Sequence, residues 1–255
     1  MEYVQENGGI FTNDDLEKYE PTMREPVCGT YRGHEVYTMP PPSSGGVHLV
    51  QMLNILKGYP VGDMRHNTAE YIHLMSEVMK LAYHDRFMYL GDTDFVDVPV
   101  EGLTSKEYAE ELRVQVNLER SSPSSENVPA DPFGFESEET THFSVMDGEG
   151  NMVANTYTLA LGFGSKFMAP GTGVLLNNEM GDFTAQVGYV DGSGMSGGVH
   201  NTIAPLKRPL SSMTPTVVTK GGGALHGHGQ CGRREDYHRY PAGDDERHGS
   251  RYERG

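Results

Sequence analysis

The sequence has no tryptophan, only two cysteines, and few basic residues for its length. Lysine and arginine number 20 against 36 aspartates and glutamates, which gives a formal net charge of −16 over 255 residues. Such a chain has no basic stripe with which to displace counterions from nucleic acid phosphates or to bind an anionic membrane. We therefore expect no nucleic acid partner. The cysteines, Cys28 and Cys231, form neither a disulfide framework nor a zinc-binding spacing.

Long apolar runs are missing as well. No stretch reaches the roughly 18 apolar residues of a membrane-spanning helix, and no signal peptide opens the sequence. From His226 to Gly255 there is no Val, Ile, Leu, Met or Phe. Such a segment cannot bury enough apolar surface to offset the entropy of ordering it, so residues 222–255 are predicted to form an aberrant, disordered tail. Its histidines match no metal-site spacing, and we expect no metal there: His226, His228, His238 and His248.

The first part of the sequence has the apolar spacing of helices. Val36–Met39 predicts a strand, and residues at three- and four-residue steps predict helices over Val47–Leu56, Ala69–Leu90 and Thr104–Val116. Ser121–Glu139 is rich in serine, proline and glutamate, which predicts a long exposed loop.

The second part has the alternation of strands. "THFSVMD" and "NMVANTYTLAL" predict two strands joined by the turn "DGEG", "GVLLNNEMGDF" predicts a strand and a turn, and "KRPLSSMTPTVVTK" predicts a loop that enters a further strand. Helices before residue 140 and strands after it favour an α+β layered fold.

Thr140 stands where an exposed acidic loop ends and a strand begins. A threonine hydroxyl is a poor nucleophile unless a base lies within reach. If the chain is cleaved just before Thr140, the new α-amino group, with a pKa of about 8, lies beside Oγ and can act as that base. An accessible loop followed by a rigid strand suits such a cleavage. Taken alone, however, a threonine at the start of a strand is explained by its β-propensity.

Four segments together resemble gamma-glutamyltranspeptidases, also called glutathione hydrolases. In chain order they are "MPPPSSGGVHLVQMLNIL", "TTHFSVMDGEGNMVANTYTL", "GTGVLLNNEMGDF" and "KRPLSSMTPT", and the resemblance runs from about Asn7 to Lys220. These are N-terminal-nucleophile hydrolases with a four-layer αββα core, made as a precursor that cleaves itself. The resemblance implies an incomplete core of this type. Residues 1–139 would be the C-terminal part of a large subunit, and residues 140–221 the N-terminal part of the small, catalytic subunit.

The resemblance also implies roles for six residues. Cleavage between Glu139 and Thr140 makes Thr140 the nucleophile, and Thr158 supports its hydroxyl. Glu179 and Asp182 hold the α-amino group of the substrate. Ser211 and Ser212 hold its α-carboxylate. Carboxylates are suitable acceptors for an ammonium in a closed site. Without the resemblance, ordinary turn and loop roles explain the acidic pair and the serines.

The activity implied by the resemblance is γ-glutamyl acyl transfer. Glutathione is hydrolysed, or its γ-glutamyl group passes to an amino acid or dipeptide, through a threonyl ester. No cofactor is implied. The small-molecule partners are glutathione, other γ-glutamyl compounds and acceptor amino acids, and the two cleaved pieces are expected to associate with each other. A periplasmic or secreted location is expected from bacterial relatives. The alternatives are a cephalosporin (glutaryl) acylase of the same superfamily, an inactive fragment, and a ligand-binding or structural module.

Three departures from the family pattern bear on activity. Ala160 stands where the family has an asparagine that contacts the substrate. The family's first half, with an arginine that pairs with the substrate carboxylate, does not occur in this sequence. The two oxyanion-hole glycines of the family's "V-T-G-S-x-G-G" are absent after about Lys220. The codons allowed for His226–Gly255, read one base later, permit that continuation, so we hypothesise a shifted reading frame from about Gly222.

Overall fold

A four-stranded antiparallel sheet joins the early and late parts of the sequence. The computed structural model describes residues 2–121, 140–188 and 197–221, together with the backbone of 223–228. Within these, the strands lie in the order β1-β2-β5-β6. Their bounds are Val27–Tyr31 for β1, His34–Thr38 for β2, Thr216–Lys220 for β5 and Gly223–His228 for β6.

The α-helices of the described residues all precede residue 140, as the sequence predicts. They are α1 (Glu2–Glu6), α2 (Asn13–Lys18), α3 (Gly45–Leu56), α4 (Ala69–Tyr89), α5 (Val100–Leu103) and α6 (Lys106–Arg113). The N-terminus of α4 is capped by Thr68, whose side chain accepts from the N–H of Tyr71. Ser105 caps α6 in the same way through the N–H of Tyr108. Both caps satisfy backbone donors that have no partner inside their helix.

Helix α3 forms the centre of the core. Every residue of α3 except Leu49 is buried, because the helix contacts α4, α6 and β1. One apolar cluster joins α3 to α4 and α6. A second cluster lies around Val47 and Val50 and includes Leu210. The chain just before Ser211 is therefore anchored in the core.

Strands β3 (Thr140–Met146) and β4 (Met152–Thr158) form a separate two-stranded ribbon. Their turn is held by Asp147, whose carboxylate accepts from the N–H groups of Glu149 and Asn151 at 2.9 Å each. The ribbon contacts β5 and β6. The sequence prediction of two strands and this turn is confirmed.

The prediction of a strand in "GVLLNNEMGDF" is wrong. Leu175 makes only an isolated bridge with Met168, and Glu179–Asp182 forms a short 3₁₀ turn. The N–H of Leu176 donates to Phe167 O, and the N–H of Asn178 donates to Leu159 O. These bonds run back to the chain that follows β4, so the segment forms a folded loop instead of joining a sheet.

The prediction of a disordered tail from residue 222 is revised for its first residues. Gly223–His228 forms β6 and pairs with β5. Strand β6 includes Ala224 and Leu225, which precede the stretch without large apolar residues, and its backbone N–H and C=O groups form a ladder with β5 whatever the later side chains are. The rest of the tail, with His238 and His248, lies outside the described residues, as does the predicted loop over 122–139.

None of the helices in the described ranges combines the length and apolar character needed to cross a bilayer. In the same ranges, no three His, Cys, Asp or Glu side chains group together as a metal ion would need.

Candidate active site

Thr140 and Thr158 lie opposite each other at the open end of the β3–β4 ribbon. Opposite residues of an antiparallel pair have Cβ atoms about 4.5–5.5 Å apart and point to the same face. Both threonines are half-buried. The N–H of Ala160 donates to Thr158 Oγ1 at 3.0 Å, so the hydroxyl proton of Thr158 points away from Ala160. The structure thus brings together the two threonines that the sequence singles out.

Glu179 and Asp182 lie on one 3₁₀ turn, in which side chains three residues apart eclipse each other. They share a side-chain hydrogen bond, which two carboxyl groups can form only when one of them holds a proton. Burial raises the pKa of Glu179 to about 7, helped by the charge and the hydrogen bond of Asp182. Among the described residues, Glu179 Oε1 is buried and has no hydrogen-bond partner.

Hydrogen bonds made by the backbone and the side chain of Asn178 tie the acidic turn to the end of β4. The N–H of Asn178 donates to Leu159 O at 3.1 Å, and Asn178 Oδ1 accepts from the N–H of Leu161 at 3.0 Å. Leu159 directly follows Thr158, and Asn178 directly precedes Glu179. The acidic pair and the threonine pair therefore belong to one connected unit.

Ser211 and Ser212 lie beside the N-terminus of α3. The backbone N–H and the hydroxyl of Ser44 both donate to Ser211 O, at 2.8 and 3.0 Å. The N–H of Ser211 donates to Pro42 O at 2.9 Å. Ser211 Oγ accepts from the N–H of Met213 at 3.1 Å, and its own proton can be donated to an anion.

Asn201 and Arg86 join the acidic turn to the serine segment. Asn201 Nδ2 donates to Asp182 O at 2.6 Å, and its Oδ1 accepts from the N–H of Leu210 at 3.0 Å. Arg86 Nη2 donates to Leu210 O at 3.2 Å, and its Nε donates to Ser44 Oγ at 3.1 Å. Asp182 is exposed as a whole residue, but local desolvation of its carboxyl raises its pKa, while its bond with Glu179 and the charge of Arg86 oppose that shift.

Sequence reasoning missed both of these residues. Arg86 binds a carbonyl 124 positions away along the chain, and no local pattern marks such a partner. A basic residue in the last turn of α4 is explained by the helix dipole alone, so the sequence does not single out Arg86. For Asn201, which lies in a polar loop segment, the sequence contains no signal.

Comparison with known proteins decides the family. The family model described as Gamma-glutamyltranspeptidase matches residues 1–232. The chain belongs to the gamma-glutamyltranspeptidase family. The resemblance stated from the four sequence segments is confirmed.

Curated relatives of this member of the gamma-glutamyltranspeptidase family include two kinds of proenzyme. The glutathione hydrolase proenzyme of Escherichia coli (strain K12) is 48% identical over 219 residues, which cover 86% of this chain and 38% of that protein. The Acylase ACY 1 proenzyme of Pseudomonas sp. (strain SE83) is 39% identical over 221 residues, covering 87% and 37%. The chain therefore spans well under half the length of these relatives.

A solved structure of cephalosporin acylase from Bacillus halodurans is similar over most of the chain. The TM-score is 0.70 at 29% identity, covering 89% of this chain and 38% of that one. The α+β fold of this family member is accordingly that of the N-terminal-nucleophile hydrolases, as predicted.

Proposed function

We propose that this chain supplies the nucleophile and much of the substrate site of an enzyme that transfers γ-glutamyl groups. The observation that carries the proposal is the buried Oε1 of Glu179, which lacks a hydrogen-bond partner within the described residues. The turn that holds Glu179 is hydrogen-bonded to the residues just after β4, and β4 places Thr158 opposite Thr140. A buried acceptor without a donor is costly. The α-ammonium of a γ-glutamyl substrate would supply that donor. The name of the Escherichia coli relative, a glutathione hydrolase proenzyme, supports the proposal.

The first step is self-cleavage between Glu139 and Thr140. Thr140 Oγ attacks the carbonyl carbon of Glu139, the C–N bond breaks, and the acyl group passes to oxygen as an ester. Water hydrolyses this ester. The products are a carboxylate on Glu139 and a free α-amino group on Thr140, which then serves as the base for its own hydroxyl.

The second step is acyl transfer from the substrate. Thr140 Oγ attacks the γ-carbonyl of the donor while the α-amino group takes the hydroxyl proton and passes it to the departing amine. A γ-glutamyl ester of Thr140 remains. Water or the amine of an acceptor amino acid then attacks this ester and restores the hydroxyl. The hydroxyl of Thr158, on the opposite strand, supports the nucleophile by hydrogen bonding.

The two polar pairs hold the amino acid end of the donor. Glu179 and Asp182 accept from its α-ammonium, which brings a positive charge to a turn that has an excess of negative charge. Ser211 and Ser212 donate to its α-carboxylate. The γ-carbonyl then extends toward Thr140.

Oxyanion stabilisation is the weak point of this chain. The family's glycine pair is absent from its sequence after about Lys220, and loss of one oxyanion donor typically slows a reaction by about 100- to 1,000-fold. We infer that the segment from about Gly222 is translated in a shifted frame. The DNA sequence tests this: a single-base insertion or deletion should restore the family's continuation, and its absence would refute the idea.

Partners and location follow from the same proposal. The substrates are glutathione and other γ-glutamyl compounds with amino acid acceptors, and the cleaved pieces 1–139 and 140–255 remain associated. The site of action is the periplasm or the exterior of a bacterial cell.

A glutaryl acylase is the second candidate. The likeness to a cephalosporin acylase and to the Acylase ACY 1 proenzyme favours it, and so does Ala160, whose methyl group offers no hydrogen bond to an amino acid end. The acidic pair argues against it, because a glutaryl group has no ammonium.

Intact mass and turnover test these assignments together. Intact mass should show two pieces, separated before Thr140, instead of one 28.1 kDa chain. In the turnover assay, γ-glutamyl-p-nitroanilide should release p-nitroaniline faster than glutaryl-p-nitroanilide does. Thr140→Ala should abolish both cleavage and turnover. Thr141→Ala is the matched control, because Thr141 points to the exposed face of the ribbon.

Each other outcome has a distinct meaning. Faster turnover of the glutaryl amide would favour the acylase. An uncleaved chain without turnover would indicate an inactive fragment. If Thr140→Ala changed neither mass nor turnover, the nucleophile assignment would be refuted and a ligand-binding module favoured.

A further inference from the structure

We propose that Asn201 and Arg86 are positioning residues that set the distance between the acidic turn and the serine segment, and that this distance selects ligands with an α-amino acid end. The inference rests on the proposed function above. We call the two side chains and the backbone of Leu210 the Leu210 brace.

The brace holds the backbone of one residue, Leu210, on both its N–H and its carbonyl. Asn201 accepts from the N–H of Leu210, and Arg86 donates to its carbonyl. Leu210 is only 2% exposed and packs in the cluster with Val47 and Val50. Because the next residue is Ser211, the brace determines where the serine pair begins.

The same side chains reach the other parts of the site. The amide of Asn201 also donates to Asp182 O at 2.6 Å, so one planar group spans from the acidic turn to the serine segment. The guanidinium of Arg86 also donates to Ser44 Oγ, and Ser44 in turn donates twice to Ser211 O. The carbonyl of Leu210 is therefore fixed by Arg86 of α4, and that of Ser211 by Ser44, the residue that precedes α3.

Ligand chemistry gives this spacing a consequence. The ammonium and the carboxylate of an amino acid end are attached to one carbon, so their partners must lie at a fixed separation. A displacement of about 1 Å is enough to spoil two simultaneous contacts. A glutaryl group has the carboxylate without the ammonium, so it needs only one of the two partners at a time.

Binding of L-glutamate and of glutarate to the full chain, measured by calorimetric titration, tests the brace without requiring turnover. Asn201→Ala removes both bonds to the turn and to Leu210. Arg86→Lys keeps the positive charge near Asp182 but loses the planar fork that binds two acceptors. In each variant we expect affinity for L-glutamate to fall about tenfold, while affinity for glutarate changes less than about twofold.

Asn54→Ala is the matched control. Asn54 is 5% exposed and its Nδ2 donates to a backbone carbonyl, Thr104 O, at 2.8 Å, at the far end of α3 from the serine segment. It should leave the ratio of the two affinities unchanged. Thermal unfolding followed by circular dichroism checks that each variant is folded. Should Asn201→Ala fail to fold, Arg86→Lys decides the question.

Two results would overturn the brace. One is an unchanged ratio of the two affinities in the folded brace variants, as an equal loss for both ligands would give, and the other is an equal change of that ratio in the Asn54 control. If the unaltered chain itself does not prefer L-glutamate to glutarate, the proposed function fails first and the inference with it. Failure of the proposed function and failure of the brace are distinguishable, because only the former is seen in the chain without any substitution.

Discussion

The proton that Glu179 and Asp182 share makes the charge of the site depend on pH near neutrality. Burial raises the pKa of Glu179 to about 7, so the acidic turn loses negative charge as the pH falls below that value. A ligand ammonium needs this charge as its counterion. We predict that affinity for L-glutamate rises about tenfold between about pH 6 and pH 8, measured by calorimetric titration.

Glu179→Gln is the control for this prediction, because glutamine has the same size and no proton to lose. It should remove most of the pH dependence. The raised pKa has a second consequence: the folded state binds the proton more tightly than the unfolded state, whose ordinary value is 4.5. The free energy of unfolding should therefore fall as the pH rises from about 4.5 to about 7 and level off above. An equally steep binding curve in the glutamine variant would contradict the assignment.

Ala160 has a backbone conformation that alanine tolerates poorly. Its φ is 72°, in the left-handed region where a Cβ costs roughly 1–2 kcal/mol and asparagine is better accommodated. The residue lies between Thr158 and the acidic turn, where the family has its substrate-contacting asparagine. We predict that Ala160→Asn raises the melting temperature by roughly 2–4 °C and tightens L-glutamate binding at least about fivefold, measured by calorimetry.

Leu206→Asn separates these two effects. Leu206 also has a left-handed backbone, with φ of 65°, but its side chain is 66% exposed. The substitution should raise the melting temperature without changing L-glutamate affinity. If Ala160→Asn stabilised the chain and left affinity unchanged as well, the asparagine contact implied by the family would not operate in this protein.

At the level of secondary structure elements, local pattern decides what can be predicted. The apolar spacing of α4 and the turn residues between β3 and β4 are local sequence features, and the predictions of this helix and this hairpin are confirmed. The segment before Phe183 reads as a strand, but its backbone groups bond to the loop after β4, which no local pattern shows. The same limit applies to the candidate site: the motif residues carry a local pattern from which roles are predicted, whereas Arg86 contacts partners 42 and 124 positions away and Asn201 joins two loop segments that no local pattern relates.

One buried carboxylate connects the three helices of the core. Asp85 of α4 is 4% exposed and accepts from Gln51 Nε2 of α3 at 2.6 Å and from the hydroxyl of Tyr108 of α6 at 3.0 Å. Burial and the charge of Asp85 raise the pKa of Tyr108, so the hydroxyl stays a donor. We predict that Tyr108→Phe lowers the free energy of unfolding by about 1–3 kcal/mol, measured by urea denaturation.

Tyr59→Phe is the comparison for Tyr108. The hydroxyl of Tyr59 donates to Arg113 O at 3.4 Å, which is at the edge of the hydrogen-bonding range. Its loss should cost less than about 0.5 kcal/mol. Equal losses of unfolding free energy in the two variants would show that the hydrogen bond to Asp85 contributes no more to stability than the long bond of Tyr59.

Considered as a whole, the molecule places its two proposed pieces in one sheet. Strand β2 of the first piece pairs with β5 of the second from Glu35 opposite Thr219 to Thr38 opposite Thr216. These bonds do not depend on the peptide bond before Thr140. We predict that the pieces elute together in size-exclusion chromatography after cleavage and separate only in denaturant. Two separate peaks in native buffer would contradict this.

Asp92 links the pieces at a second place. It is fully buried, pairs with Arg24 of the first piece at 3.3 Å, and accepts from the backbone N–H of Arg208 in the second at 2.8 Å. Asp92→Ala leaves the N–H of Arg208 without this partner, while Arg24 keeps its ion pair with Asp94. We predict a loss of about 1–3 kcal/mol in the free energy of unfolding, and separation of the cleaved pieces at a lower urea concentration.

The control for Asp92 is an acidic residue whose ion pair lies within one piece. Asp14 pairs with Lys18 across one exposed turn of α2, and such surface pairs contribute at most about 1 kcal/mol. Asp14→Ala should therefore leave the separation of the pieces almost unchanged. Native mass spectrometry along a urea series measures both variants. If the two curves coincide, the association depends on the β2–β5 ladder and the apolar core, and the buried carboxylate contributes nothing measurable to it.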